Sequence, residues 1–346
     1  MPEASTGPAA RWARRDVLRL GLAIPVLAGC SASPAVSPRP GTSGTTAAGP
    51  TPGVPSPAPG PAPGIPAAAS AELKLSALAG AVLSGPHRKD LSSGQRRLLT
   101  FLRQAHADHG SVLASAEPTA RPTSSGRPPS ASAPDLKGVS LKDALERLAR
   151  QEKRQAAAQR RAAASRTGLA ALLSGSLAVA ADAYAAALGA SDPPSVSAEK
   201  ARKPAALLTD VAATQQLVAQ LHAVVFGYQL AIGKLKYASA ARPRAVSQLA
   251  AARALLDTRI ALLLTRKAAV PMAEPAYAPS FDVRSADEAR RLVRTMQARL
   301  EPFVGLTLAA AGTPRARREA LTLLTSTSRT ARSWGAPLQA WPGWPD

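Results

Sequence analysis

The chain has 346 residues, with 43 Lys and Arg against 22 Asp and Glu, one cysteine, four histidines and a formal net charge of +21. A lone cysteine excludes an intramolecular disulfide and a Cys-rich zinc or iron–sulfur site. Only 3% of residues are aromatic, and β-branched runs are few, which argues against an all-β sandwich or barrel.

The first thirty residues read as an address. Arg14 and Arg15 stand side by side ahead of Asp16, Val17, Leu18 and Arg19, and an apolar stretch runs from Leu20 to Ala28. That stretch falls short of the roughly 20 apolar residues that span a bilayer. A charged segment before a short apolar one predicts an export signal over 1–29. The paired arginines resemble the signal of the twin-arginine pathway. Sec export is the alternative, because Asp16 and Val17 replace the commoner polar-then-Phe pair. Leu27-Ala28-Gly29-Cys30 resembles the bacterial lipobox. That resemblance implies cleavage before Cys30 and a lipid on its thiol, which places the protein on the outer face of the cytoplasmic membrane. Each buried methylene of such an anchor contributes about 0.8 kcal/mol.

After Cys30 comes a tether, residues 30–70. From Ser31 to Ser70 it is almost entirely Pro, Ala, Gly, Ser and Thr, with Arg39 its one charge. This composition predicts a disordered or polyproline-like linker, about 120 Å long when fully extended. A second Pro-rich stretch, Glu117 to Lys137, reads as a disordered loop between helices over 117–138.

The remainder predicts helices near 71–84, 93–115, 140–166 and 168–189, then 204–238, 244–267, 285–311 and 314–334. Ser92 with Gln95 and Ser285 with Glu288 fit the capping box, and Ser140 with Asp143 approximates it. Pro204 and Pro314 each suit a first helical turn. Leu207, Val211, Thr214, Val218, Leu221, Val225, Tyr228, Ile232 and Leu235 recur at steps of four and three, the seam of a bundle helix. Leu249, Ala252, Leu256, Ile260 and Leu263 give the next helix a similar seam. Pro302 predicts a kink in the seventh helix. The fold class is all-α. The preferred arrangement is two four-helix units, 71–190 and 204–346, joined near 191–203; one eight-helix body is the alternative.

The segments LHAVVFGYQL, EPAYAPSFDV with SADEARRLVRTMQARLE, and the terminal AWPGWPD resemble an actinobacterial ferritin-like family of unknown function (domain of unknown function 4439). The resemblance covers Leu207 to Asp346. It implies a ferritin-like four-helix bundle there and supplies no reaction.

Metal-loaded ferritin-like bundles take a Glu from each of two helices and a Glu-x-x-His pair from each of the other two. Three residues before His87, His106, His109 and His222 stand Ser84, Arg103, His106 and Ala219. No Glu-x-x-His occurs, so a di-iron site, a cofactor and a catalytic constellation are not expected. Neither a Gly-x-Ser-x-Gly elbow nor a Gly-rich phosphate loop occurs. A weaker metal pattern lies in the first half. Leu98, Leu102, Ala105, His109 and Val112 share one helical face, and so do Leu141, Leu145, Leu148 and Glu152. His106, His109 and Glu152 are therefore candidates for a hydrogen-bonded buried pair or part of a metal site. The fourth helix offers Ser176, Asp182 and Tyr184.

Removing residues 1–29, with four Arg against Glu3 and Asp16, lowers the formal charge from +21 to +19. Arg147, Arg150, Lys153, Arg154, Arg160, Arg161 and Arg166 form a dense basic cluster. On an exported protein it would face anionic lipids or wall polymers and not nucleic acid; a solvated helix face is the alternative. Trp334, Trp341 and Trp344 crowd the C-terminal tail, either packed on the bundle or presented to a partner. The expected function is a structural or binding role at the envelope without enzymatic activity. A metal-binding or redox protein and a basic docking module are the alternatives.

Overall fold

The computed structural model describes residues 65–115, 134–197 and 205–345. Arg14, Arg15, Cys30 and the tether up to residue 64 lie outside the described residues, as do Pro204 and most of the 117–138 loop. Eight α-helices follow in order: α1 (Ile65–Ser84), α2 (Ser93–Ala114), α3 (Leu141–Ser165), α4 (Gly168–Leu188), α5 (Asp210–Lys234), α6 (Ala241–Thr265), α7 (Ala286–Ala310) and α8 (Pro314–Ser333). The pairing of β type among the described residues is a single bridge between Val196 and Leu338. The protein is all-α, a helical bundle consistent with the ferritin-like fold.

Local chemistry sets the helix starts. Ser92 with Gln95 and Ser285 with Glu288 form reciprocal capping boxes at α2 and α7. Ser140 and Thr313 cap α3 and α8 from one side, and Pro314 fills the first turn of α8. Helix α6 starts three residues early, at Ala241, and two starts differ by more. Helix α1 begins at Ile65, inside the predicted tether, because an alanine run after Pro66 is a strong helix former. Helix α5 begins at Asp210 because the Thr209 hydroxyl accepts from Ala212 N and fixes the N-terminus there. Leu207, expected to head the α5 seam, is accordingly 59% exposed. Helix α7 runs through Pro302 to Ala310.

The helices pack as stacked pairs. Helix α1 lies on α2 and α3, α2 on α4, α3 on α4 and α8, α4 on α7 and α8, α5 on α6 and α7, and α7 on α8. All described residues fall in one compact unit, so the halves predicted as two units meet through α3, α4, α7 and α8. Helix α4 explains why. It is Ala-, Gly- and Leu-rich and buried on nearly every side, as a helix apolar all round must be. Its Gly175 lets Leu308 of α7 approach so closely that a Cβ there would sit 2.3 Å from a Leu308 methyl.

The tail after α8 packs back over the bundle. Trp334 and Trp344 are buried, and Gly343, at φ +77°, brings its carbonyl to Gly305 of α7, where no Cβ would fit. Leu338 then bridges to Ser195 and Ser197. Leu338 and Ala340 join Leu98, Leu102 and Tyr184 in the core of the first four helices. This crossing brings C-terminal backbone against His109 of α2 and Tyr184 of α4.

A buried histidine–carboxylate centre

On α1, Glu72, Leu75, Ala79 and Val82 follow steps of three, four and three and are all buried. Helix α2 buries Leu98, Leu102, Ala105, His109 and Val112 on one face, with His106 beside it. Helix α3 buries Leu148, Glu152, Gln155 and Gln159. The apolar members hold these faces together. The polar members, Glu72, His106, His109 and Glu152, meet inside, each at most 1% exposed.

His106 lies between two carboxylates. Its Nδ1 is 2.7 Å from Glu72 Oε2 and its Nε2 is 2.6 Å from Glu152 Oε1. His109 turns its own Nδ1 to the same Glu72 Oε2, at 3.2 Å, and its Nε2 to the carbonyl of Ala340, at 2.8 Å. Gln155 Nε2 donates to the other Glu72 oxygen at 2.8 Å. The two imidazole rings meet edge to face with centroids 5.7 Å apart, Tyr184 packs on His106, and Trp341 packs on His109. Tyr184 also donates to the Gln339 carbonyl, so the tail is held on both sides of the centre.

The electrostatics follow from burial and pairing. Burial alone would lower the His106 pKa, but the Glu152 and Glu72 carboxylates outweigh it and raise it to about 10. Burial alone would raise Glu72, but hydrogen bonds from His106 and His109 hold it well below the usual carboxylate range. Glu152, with one imidazole contact and an Oε2 that has no partner among the described residues, is raised by burial despite His106.

Hydrogen positions limit the centre further. The Ala340 carbonyl can only accept, so His109 Nε2 donates and carries a proton. A neutral His109 then aims the Nδ1 lone pair at a carboxylate oxygen. The Nδ1 of His106 faces that oxygen too. Two nitrogens and one carboxylate oxygen converge, and a proton or a metal cation must sit between His109 Nδ1 and that oxygen. These atoms, one each from Glu72, His106 and His109, lie within 4.8 Å of one another.

The structure thus joins the three residues expected from the sequence, His106, His109 and Glu152, and adds Glu72, Gln155 and the Ala340 carbonyl. Glu152 touches His106 on the side away from Glu72. Of the α4 residues expected to help, Asp182 instead pairs with Arg160, and Ser176 is buried with an unpartnered hydroxyl. His87 bonds the Val139 carbonyl and His222 the Pro271 carbonyl. Glu72 was not among the expected residues, although its steps to Leu75, Ala79 and Val82 match the seams of the other helices.

The interior of α5–α8 does not fit a di-iron site. Among the described residues there, Glu301 is the single buried carboxylate and no histidine is buried. Its polar cluster is neutral. Gln297 Nε2 donates to the Tyr228 hydroxyl, which donates to Gln248 Oε1, which also accepts from Trp334 Nε1.

Residues 213–346 match the model of a domain of unknown function (DUF4439). The crystal structure of a conserved hypothetical protein from Mycobacterium tuberculosis is 26% identical over 36% of this chain and 93% of that one, with a TM-score of 0.34. No curated protein matches the chain. Glu72, His106, His109 and Glu152 precede the matched region; the Ala340 carbonyl that orients His109 falls inside it. The family matched over residues 213–346 is the one that the sequence resembles from Leu207 to Asp346.

Proposed function

We propose that the protein is an exported, lipid-anchored envelope protein that binds one divalent transition-metal ion through Glu72, His106 and His109. The observation that carries the metal reading is the convergence of two imidazole Nδ1 atoms on one oxygen of one carboxylate, with each Nε2 held by a separate acceptor. Metal-bound histidines commonly donate their second N–H to a carboxylate or a backbone carbonyl, which fixes the ring and raises its basicity. Glu152 does this for His106 and Ala340 for His109, while Gln155 holds the far oxygen of Glu72. Charge agrees: one divalent ion balances Glu72 and Glu152 with both rings neutral. Two imidazoles and a carboxylate suit zinc, iron, cobalt or nickel better than calcium or magnesium.

A second reading rests on the raised pKa of His106. There protons fill the centre, and it is a structural imidazolium–carboxylate network. Metal analysis of the purified chain separates the two. The metal reading expects about one ion per chain, lost in His109→Ala and in Glu72→Gln. Substoichiometric metal that ignores both substitutions contradicts it and leaves the proton network.

The envelope reading rests on Arg14, Arg15 and the Leu27–Cys30 motif. The anchor on Cys30 holds the protein to the outer face of the cytoplasmic membrane, and the Pro-rich stretch spaces the helices from it. Cys30→Ser should move the protein out of the membrane fraction; unchanged fractionation contradicts the anchor. We assign no catalytic residue. The centre is closed by the tail, so its role is to bind rather than to process a substrate.

A further inference from the structure

Between the C-terminal turn of α3 and the first three turns of α8 lies a solvent-open cavity of about 590 Å³, within the usual range for sites that hold a small molecule. Ala164, Pro314 and Leu321 give it an apolar wall, and Arg160, Arg161 and Arg318 contribute charge. No carboxylate lines it. Arg160 is neutralised by Asp182. Arg161 and Arg318 have no ion pair among the described residues.

The positive charge extends behind the wall. Arg317, 3% exposed, donates from Nε to the carbonyl of Ala164, a cavity residue, and from Nη1 to the carbonyl of Ala311. It has no carboxylate partner among the described residues, although buried charges are ordinarily paired. The N-terminus of α8 opens on the same cavity at Pro314 and adds its dipole. The cavity therefore combines an unneutralised cationic side with an apolar one.

We propose that this cavity binds one anionic phospholipid, with its phosphate against Arg161 and Arg318 and part of its hydrocarbon over Ala164, Pro314 and Leu321. A soluble phosphate or a wall polymer would satisfy the arginines and leave the apolar wall wet; an amphiphile covers both. The inference is independent of the metal centre, and its test does not need the lipid anchor.

The test uses the full chain carrying Cys30→Ser and titrates it with short-chain phosphatidylglycerol below its micelle concentration, read by calorimetry. Saturable binding of a single molecule is expected. Short-chain phosphatidylcholine and inorganic phosphate should each bind at least about tenfold more weakly. Arg161→Gln combined with Arg318→Gln should weaken phosphatidylglycerol by about tenfold or more. Thr322→Trp, which narrows the cavity and leaves its charge unchanged, should weaken it too. Arg147→Gln with Arg154→Gln, on the exposed face of α3, is the control for general charge; unchanged thermal unfolding of each variant excludes misfolding. The proposal is overturned by absent or unsaturable binding, by inorganic phosphate binding equally well, or by an equal loss in the control pair.

Discussion

The buried polar clusters of the first and last four helices follow different plans. In α5–α8, Gln297, Tyr228, Gln248 and Trp334 form a chain in which each donor meets an acceptor and no group is charged. In α1–α3, two imidazoles surround one oxygen of Glu72, with Glu152 beyond. The neutral chain closes by itself. The charged centre closes only when cations, either protons or a metal ion, enter among its lone pairs. Burying such a set is costly unless it is paired, so the first core keeps an arrangement that packing alone would not favour. On the proposed function, ion binding falls to α1–α3, and the tail after α8 covers the centre through the Ala340 carbonyl.

Breaking the charged centre should have the largest effect. His109→Ala and Glu72→Gln should each weaken metal binding more than about a hundredfold. They should also destabilise the metal-free chain by about 3–5 kcal/mol in denaturant unfolding, the usual cost of leaving a buried charge without its partner.

Glu301 gives the next effect, from the other half. Burial, only partly opposed by Arg332, raises its carboxyl pKa to about 8. The folded chain then keeps a proton that the unfolded chain releases above its ordinary 4.5. Stability on this account falls as pH rises from about 4.5 to about 8, and the full penalty is present above that. Glu301→Gln should therefore stabilise the protein by up to about 5 kcal/mol at alkaline pH and by little below the unfolded pKa. A gain independent of pH would remove this assignment.

Glu152→Gln sharpens the division between ligand and support. If Glu152 orients His106 without binding the ion, its loss should cost about 10–100-fold in metal affinity, less than losing a ligand. Tyr228→Phe should act least. It leaves Gln297 and Gln248 short of partners, costs about 1–2 kcal/mol, and leaves metal affinity unchanged.

Much of the fold was legible because helix seams and caps are local. The α2, α3, α7 and α8 starts were readable from Ser92, Ser140, Ser285 and Pro314, and the seams of α2 and α3 turn His109 and Glu152 inward. Leu207 misled because Thr209 caps the helix after it. Glu72 was not legible in the same way, because α1 is rich in small apolar residues and its seam does not stand out from its other faces. The Ala340 carbonyl was not legible. It comes from backbone 231 residues away from His109, and no side-chain pattern announces a main-chain acceptor. The joining of the halves was equally hidden, since an alanine-rich helix such as α4 does not show in its periodicity which neighbours will cover its several apolar sides.

The most direct test of the central claim is a Co2+ titration of the metal-free chain followed by visible absorption. The account predicts a band that saturates near one equivalent, disappears in His109→Ala and persists in His222→Ala, whose ring lies outside the centre. A band that never saturates, or one of equal strength in His109→Ala, would contradict it.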